Sequence, residues 1–429
     1  MIVDFVGYNI AGRRGELIQG GYLPSTLHIE RAGMDRRRFA MYASGFTATA
    51  LAAQPPTDQP PLKVGVIGST GRGDYGHGLD TVWQRLPDAS IVAVADHDPD
   101  GRNQELAKLK LPATAGYADY GQMLQQTRPD IVAVCPRHVD QHRDMILAAI
   151  EAGAKGIYVE KPFVRTPAEA DEVIAACQTH GARVAVAHRN RYHPAINVIA
   201  GLLREGRIGR LLEIRGRGKG DRRGGCEDLW VLGSHVLNLI TSLAGPPRSC
   251  SAVLLQDGRP ATSSDVGKGA EGLGPMAGNQ LHARFVLDSG VVAYFDSVAN
   301  DGTQNQGFGL QLIGSEGRIA IYADRNPLAY LQPGNPFAQN DPPARWLPIT
   351  SGGVDVPEPD LAEIRRVQHH DAEAQDLIDA VKNNREPLCN SVEAALTVEM
   401  ICGVFQSHRQ GGREVTFPLQ HREHPLADW

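Results

Sequence analysis

The chain reads as an α/β protein whose first domain is a doubly wound parallel sheet, and three observations predict it. Short segments that are apolar throughout, such as Val64-Gly65-Val66-Ile67 and Gly156-Ile157-Tyr158-Val159, alternate with helical stretches, as in parallel sheets covered by helices on both faces. A glycine-rich turn, Gly68-Ser69-Thr70-Gly71-Arg72-Gly73, directly follows the first of these segments. Glu160-Lys161-Pro162 ends the second, and the carboxyl ends of parallel strands are where open α/β sheets bind ligands.

The elements follow in order from Leu62. Strands are expected at 62–67, 90–95, 130–135, 156–159 and 183–187, with helices near 77–86, 99–109, 119–126, 138–152 and 167–180. Asp98-Pro99 has the form of a helix start, an Asp N-cap with Pro in the first turn. Thr166-Pro167-Ala168-Glu169 has the form of a capping box. The domain so defined spans 62–188.

The glycine turn departs from G-x-G-x-x-G, because Thr70 holds the second glycine position and Gly73 the third. Gly71 is a candidate for the close approach instead, since a backbone without Cβ admits a pyrophosphate and the N-terminus of a following helix would face its charge. Asp96 closes the second strand and lies somewhat beyond the usual spacing of about 20 residues from the turn. A carboxylate there accepts bonds from ribose hydroxyls and repels a 2′-phosphate, so NAD is expected over NADP. The alternative for Asp96 is a turn residue of Asp96-His97-Asp98-Pro99.

Bulk properties bound the rest. The 429 residues suffice for two domains with cores. Hydrophobic content of 42% and charged content of 21% are ordinary for a globular protein, and a net charge of -6 gives no reason to expect a nucleic-acid partner. Cys135, Cys177, Cys226, Cys250, Cys389 and Cys402 form no Cys-x-x-Cys pair; this argues against structural zinc and a dense disulfide framework, and no metal is expected. Cys135 and Cys177 fall in apolar segments and read as buried thiols.

Ahead of the first domain, Met34-Asp35-Arg36-Arg37-Arg38-Phe39 precedes a modest apolar run to Ala53. The run is shorter than the roughly 20 residues a bilayer span needs, and Ala50-Leu51-Ala52 supplies a small-residue cleavage site. This order reads as a twin-arginine signal over 34–53, implying the twin-arginine export machinery as a partner and an exported, periplasmic location. A frayed, uncleaved amphipathic tail is the alternative. Residues 1–33 read as an upstream extension, with translation expected to start at Met34, and 54–61 as a Pro-rich linker. That route carries folded proteins into a compartment poor in free nucleotides, so a tightly held cofactor is expected.

Taken together, these motifs resemble the glucose-fructose oxidoreductase / inositol dehydrogenase / rhizopine catabolism (Gfo/Idh/MocA) family from Leu62 to Leu419. The resemblance rests on the glycine turn, Val134-Cys135-Pro136 with His142, Glu160-Lys161-Pro162, Arg191-Tyr192-His193-Pro194, Glu205-Gly206-Arg207-Ile208-Gly209-Arg210-Leu211, Gly233-Ser234-His235 and Gly314-Ser315-Glu316-Gly317. It implies a second α/β domain, here 189–419, with a large open, mostly antiparallel sheet, and a tail at 420–429. Strand patterns at 209–219, 248–257, 280–287, 291–298, 308–313, 318–322 and 413–417 agree, as do hairpin turns at Asp288-Ser289-Gly290 and Ser315-Glu316-Gly317 and a helix near 391–409. Residues 259–278, rich in Gly, Ser and Ala, read as a long mobile loop.

The resemblance implies an NAD-dependent oxidoreductase acting on a secondary hydroxyl of a sugar, cyclitol or sugar-derived polyol, working as a homo-oligomer, dimer or tetramer. Gly68, Thr70, Gly71, Arg72, Gly73, Asp96, Pro136, Glu160 and Lys161 are the residues expected around the cofactor. Lys161 is expected to stabilise a developing alkoxide and pass on its proton, with His235 as acid/base. Two positions depart from the family: Val231 and Asn238 stand where it often carries Asp, four residues before and three after the histidine. Asp228 or Glu227 is expected to supply the missing carboxylate, the alternative for Asp228 being an N-cap. Arg189, Tyr192, Trp230 and Asn238 are expected substrate contacts, with core packing as the equal alternative for Trp230. Two further readings stay open. One is a redox-neutral, glycosidase-like reaction through a transient keto-sugar; the other is a non-catalytic sugar-binding protein.

Overall fold

The computed structural model describes residues 60–303, 306–339 and 344–429. The expected upstream extension and twin-arginine signal, at 1–33 and 34–53, and all but the last two residues of the expected linker lie outside them.

Six parallel strands build the first sheet: β1 (Leu62–Ile67), β2 (Ala89–Ala95), β3 (Gly116–Tyr117), β4 (Ile131–Val134), β5 (Gly156–Val159) and β6 (Arg183–Val186). Their order is β3-β2-β1-β4-β5-β6, the doubly wound arrangement with its switch point between β1 and β4. The expected strands are all present; the two-residue β3 was too short to show a pattern. Alternation along β4 explains why the strands are apolar throughout. Ile131 and Ala133 join one core with Leu377 and Ile378, while Val132 and Val134 join the other with Met123 and Ile146. Each such fully buried aliphatic side chain contributes about 1.5–3 kcal/mol.

Helix starts follow the sequence chemistry. Asp98 accepts from the Gly101 N–H at 2.7 Å ahead of the helix Pro99–Leu109. Thr166 accepts from the Glu169 N–H at 3.1 Å ahead of Pro167–His180, but the Glu169 carboxylate reaches back to the Arg165 N–H rather than closing the box on Thr166. The helix expected at 77–86 does not form; only a short 3-10 turn, Val82–Arg85, is present. Gly71, Gly73, Asp74, Gly76 and Gly78 all adopt positive φ, which breaks a right-handed helix before it can start.

The second sheet has eleven strands. β7 (Leu211–Arg217) lies between β13 (Val292–Val298), to which it is parallel, and β14 (Gly309–Gly314). Beyond β13 come β12 (Gln280–Leu287), β8 (Pro247–Gln256) and the edge strand β19 (Val415–Thr416); beyond β14 come β15 (Gly317–Tyr322), β16 (Ala329–Pro333), β17 (Leu347–Thr350) and β18 (Gly353–Val354). Apart from β7 with β13, every neighbouring pair is antiparallel. The helices Ser234–Ala244 and Ser391–Arg409 pack on this sheet.

Three features depart from expectation. Residues 259–278 are folded: β9 (Arg259–Pro260) pairs with β8, β10 (Gly267–Lys268) pairs with β11 (Pro275–Met276), and Leu273 is buried. Glycines at positive φ serve as turn formers here rather than as slack. The helix Asp371–Asn383, late in the chain, covers one face of the first sheet, so the domains are not strictly sequential. The tail is packed: Leu426 is buried, and Arg422 bonds Asp171 and Glu399 at 2.6 Å each. All six cysteines are buried free thiols.

Candidate active site at the domain junction

The carboxyl end of β1 runs into the glycine turn. At Gly68 a Cβ would lie 2.2 Å from the Tyr75 ring, and at Gly73 2.3 Å from the Arg137 nitrogen, so packing demands glycine at both. Gly71 differs: its φ is +78° and nothing lies within 4 Å of where a Cβ would be. That is bare backbone facing open space at a strand's carboxyl end, a fit for a pyrophosphate. No helix follows to offer its N-terminus, and the N–H groups of Ser69, Thr70, Gly71, Arg72 and Asp74 already donate within the turn and to Asp96, so the site's fit rests on the space at Gly71.

Thr70 is held by Asp96, whose carboxylate accepts from Thr70 Oγ1 at 2.7 Å, from the Thr70 N–H at 3.1 Å and from the Asp98 N–H at 3.0 Å. Asp96 therefore shapes the turn and caps its own loop, while sitting at the end of β2 where a ribose would lie. Arg72 pairs with Asp140 at 2.6 Å.

His142 ties two strand-end loops together. Its Nε2 meets the Pro136 carbonyl at 2.6 Å and its Nδ1 the Pro162 carbonyl at 2.9 Å. Beside them Glu160 is buried and accepts from its own neighbour's backbone, the Lys161 N–H, at 2.8 Å, and from the His77 N–H at 3.1 Å. It also contacts the His77 ring. Burial pushes this carboxyl up, but the His77 bond and the Lys161 charge prevail and hold it at about 2. Glu160 is thus an ionised strut that fixes the loop carrying Lys161.

Lys161 is only 8% exposed, and its Nζ donates to the Val231 carbonyl at 3.2 Å. That carbonyl is available because Leu229–Gly233 forms a π-helical turn between the helical start Cys226–Asp228 and the helix Ser234–Ala244. Such turns recur at functional sites. The chain thus supplies a main-chain oxygen at the residue where a carboxylate is missing.

His235 opens the following helix, 8% exposed, with Nδ1 buried and unpaired. Burial holds its pKa well below the ordinary value, and the neighbouring His188, Lys161, Arg189 and His370 act in the same direction. His188 stands edge-on to it, ring centroids 5.3 Å apart at 90°, and burial together with Lys161 lowers it to about 3. The cleft therefore holds a lysine beside two neutral imidazoles.

The remaining expected residues are placed otherwise. Asp228 is buried and turned toward the sheet, where its carboxylate accepts from Ser297 Oγ at 2.5 Å and the Lys219 N–H at 3.1 Å. It anchors the segment rather than serving His235. Glu227 is half-buried with Arg222 and Arg223 as charged neighbours. Trp230 is 0% exposed, stacked against Phe405 and His424 at 6.5 and 6.4 Å, so it is core and covers no sugar face. Tyr192 donates to Asp376 at 2.9 Å and accepts from the Cys389 N–H at 3.2 Å, which occupies its hydroxyl structurally. Asn238 is buried beside the Cys389 thiol with Nδ2 unpaired. Arg189 remains near the cleft, paired with Asp324 at 2.8 Å. The position of His188 after the strand ending at Ala187 places it at the domain junction but gives it no role, and no motif marks His77.

A parallel nucleotide sheet joined through a lysine–histidine cleft to an open antiparallel sheet defines a two-domain dinucleotide-dependent oxidoreductase. The chain belongs to the Gfo/Idh/MocA family: residues 62–188 match its NAD-binding Rossmann fold and 201–417 its C-terminal alpha/beta domain. Among curated relatives, D-apiose dehydrogenase of Paraburkholderia graminis is 24% identical over 348 residues, 77% of this chain and 84% of that protein. Inositol 2-dehydrogenase of Ralstonia nicotianae is 31% identical over 151 residues, 34% of this chain and 43% of its own length. The solved inositol dehydrogenase homologue of Azotobacter vinelandii, with NADH and myo-inositol, shares the fold at TM-score 0.67 and 16% identity, covering 83% of this chain and 98% of that one.

Proposed function

We propose that the protein is an NAD-dependent dehydrogenase of a secondary hydroxyl on a sugar, cyclitol or sugar-derived polyol. The observation that carries this is Lys161, buried at the carboxyl end of β5 and anchored on the Val231 carbonyl within one helical turn of a neutral His235. The relatives named D-apiose dehydrogenase and inositol 2-dehydrogenase, and the homologue holding myo-inositol, support the substrate class.

The turn at Gly71, with Asp96 at the end of β2, would hold the dinucleotide. When bound, NAD supplies the hydride acceptor. Lys161 orients the substrate hydroxyl and stabilises negative charge developing on its oxygen. His235, neutral and otherwise unpaired, accepts the hydroxyl proton. Glu160 keeps the Lys161 loop fixed during these steps.

We further propose that Arg36-Arg37 and the run after it direct export, that the cofactor is held captive, and that the protein is a homo-oligomer. The export signal favours a second reading, a redox-neutral reaction through a transient keto-sugar with the nucleotide recycled in place. Denaturing one portion of protein purified without added nucleotide to identify what it releases, and assaying a native portion with NAD and a polyol panel, separates these readings. Net formation of NADH supports the dehydrogenase; sugar turnover at constant NAD supports the second. Neither released nor bound nucleotide would sink both.

A further inference from the structure

Among the described residues, His188 is the buried imidazole in direct ring contact with His235, and the steps above leave it idle. It follows the carboxyl end of β6, in the loop next to the one that carries Lys161. His235 lacks what ordinarily fixes a catalytic histidine: its Nδ1 has no hydrogen-bond partner, and the residues four before and three after it are Val231 and Asn238. The Val231 carbonyl serves Lys161. Asp228 serves Ser297 and Lys219. The largest charge effects on His235 come from His188, Lys161, Arg189 and His370, on three different stretches of chain, and none of these is a carboxylate.

We infer that His188 is the positioning residue for His235, its ring closing edge-on to fix the orientation and hydration of the catalytic imidazole in place of the carboxylate absent at position 231. The inference rests on the dehydrogenase reading for its consequence in turnover, but not for its physical content. A perpendicular ring packed at this distance restricts rotation and excludes water. A carboxylate partner would hold the same ring by charge and favour its protonated form. Packing by a neutral ring does the reverse, so His235 stays a base throughout the neutral range. Burial, with Lys161, keeps His188 itself uncharged near neutrality, and Glu160 opposes this only weakly.

The test pairs His188→Ala with His188→Phe in the full chain. Ring-proton NMR of the substrate-free protein follows the His235 titration, its signal assigned by loss in His235→Gln. His188→Ala admits water and is expected to raise the His235 titration by at least about one unit. His188→Phe restores the packed ring and is expected to leave it at or below the wild-type position. In turnover, His188→Ala is expected to lower kcat by about 10-fold or more with NAD affinity unchanged, and His188→Phe to recover most of that loss. A folded His188→Ala protein whose His235 titrates as in wild type overturns the inference. A raised titration in a protein that oxidises no polyol upholds it and overturns the dehydrogenase reading instead.

Discussion

Lys161 Nζ rests 3.2 Å from the main-chain oxygen of Val231, so the site's lysine is held by backbone at the position where the family often carries an Asp. A carbonyl accepts one hydrogen bond without neutralising the ammonium, which leaves its charge for the substrate oxygen. Lys161→Ala and Lys161→Met should each lower kcat by about 100-fold or more while NAD affinity stays within a few-fold. Fluorescence titration with NADH alongside the rate assay checks this. Undiminished turnover would remove Lys161 from the chemistry.

The pH dependence of stability has two opposed slopes. His188 is lowered to about 3, and His193, His370 and His424 to about 4, chiefly by burial. The unfolded chain binds protons at these groups below the ordinary histidine value of 6.5 while the folded protein does not, so stability falls as pH drops from there toward the folded values. Each group contributes roughly 1.4 kcal/mol per pH unit over that window. Glu373 acts oppositely. It is 0% exposed with neither oxygen hydrogen-bonded, and burial raises it to about 8, so stability declines as pH climbs from the ordinary carboxyl value of 4.5 toward that value. Maximal stability is expected near pH 6.5, with steep acid unfolding below it. Melting temperature against pH measures this; a flat profile on the acid side would show that these imidazoles titrate normally.

Much of this architecture is legible in the chain, and the misses have physical causes. Runs such as Ile131–Val134 announce strands because both faces are covered. The helix expected after the glycine turn is absent because of the five positive-φ residues from Gly71 to Gly78, which periodicity ignores. The lysine was legible as a motif ending β5. The roles of Trp230, Asp228 and Tyr192 were not, since an aromatic, a carboxylate or a hydroxyl shows its partners only after folding. Nothing local marks the packing of Phe405 and His424 on Trp230, or of Ser297 on Asp228.

Trp230 and Asp228 should behave as structural residues. Trp230→Ala empties a fully buried site between stacked rings and should cost about 3–5 kcal/mol. Asp228→Ala strands the Ser297 hydroxyl and the Lys219 N–H and should cost about 1–3 kcal/mol. In protein kept folded at low temperature, both variants should retain the wild-type pH profile of kcat/KM. A displaced acid limb in Asp228→Ala would return that carboxylate to the proton-handling site.

Arg422 joins elements from both domains. Its guanidinium bonds Asp171 on Pro167–His180 and Glu399 on Ser391–Arg409, and its carbonyl accepts from the Ala168 N–H at 3.0 Å. Burial raises the Glu399 carboxyl against the pull of Arg422, so that carboxylate depends on its arginine. Arg422→Ala leaves it buried without its cation, a change that costs about 3–5 kcal/mol when a buried pair loses one partner. Asp171 lies nearer solvent and should matter less. Arg422→Ala should therefore destabilise far more than Asp171→Ala, and adding Glu399→Gln to it should recover part of the loss. Denaturant melts of the three variants decide the matter. Equal losses for Arg422→Ala and Asp171→Ala would place the stitch at the surface pair instead.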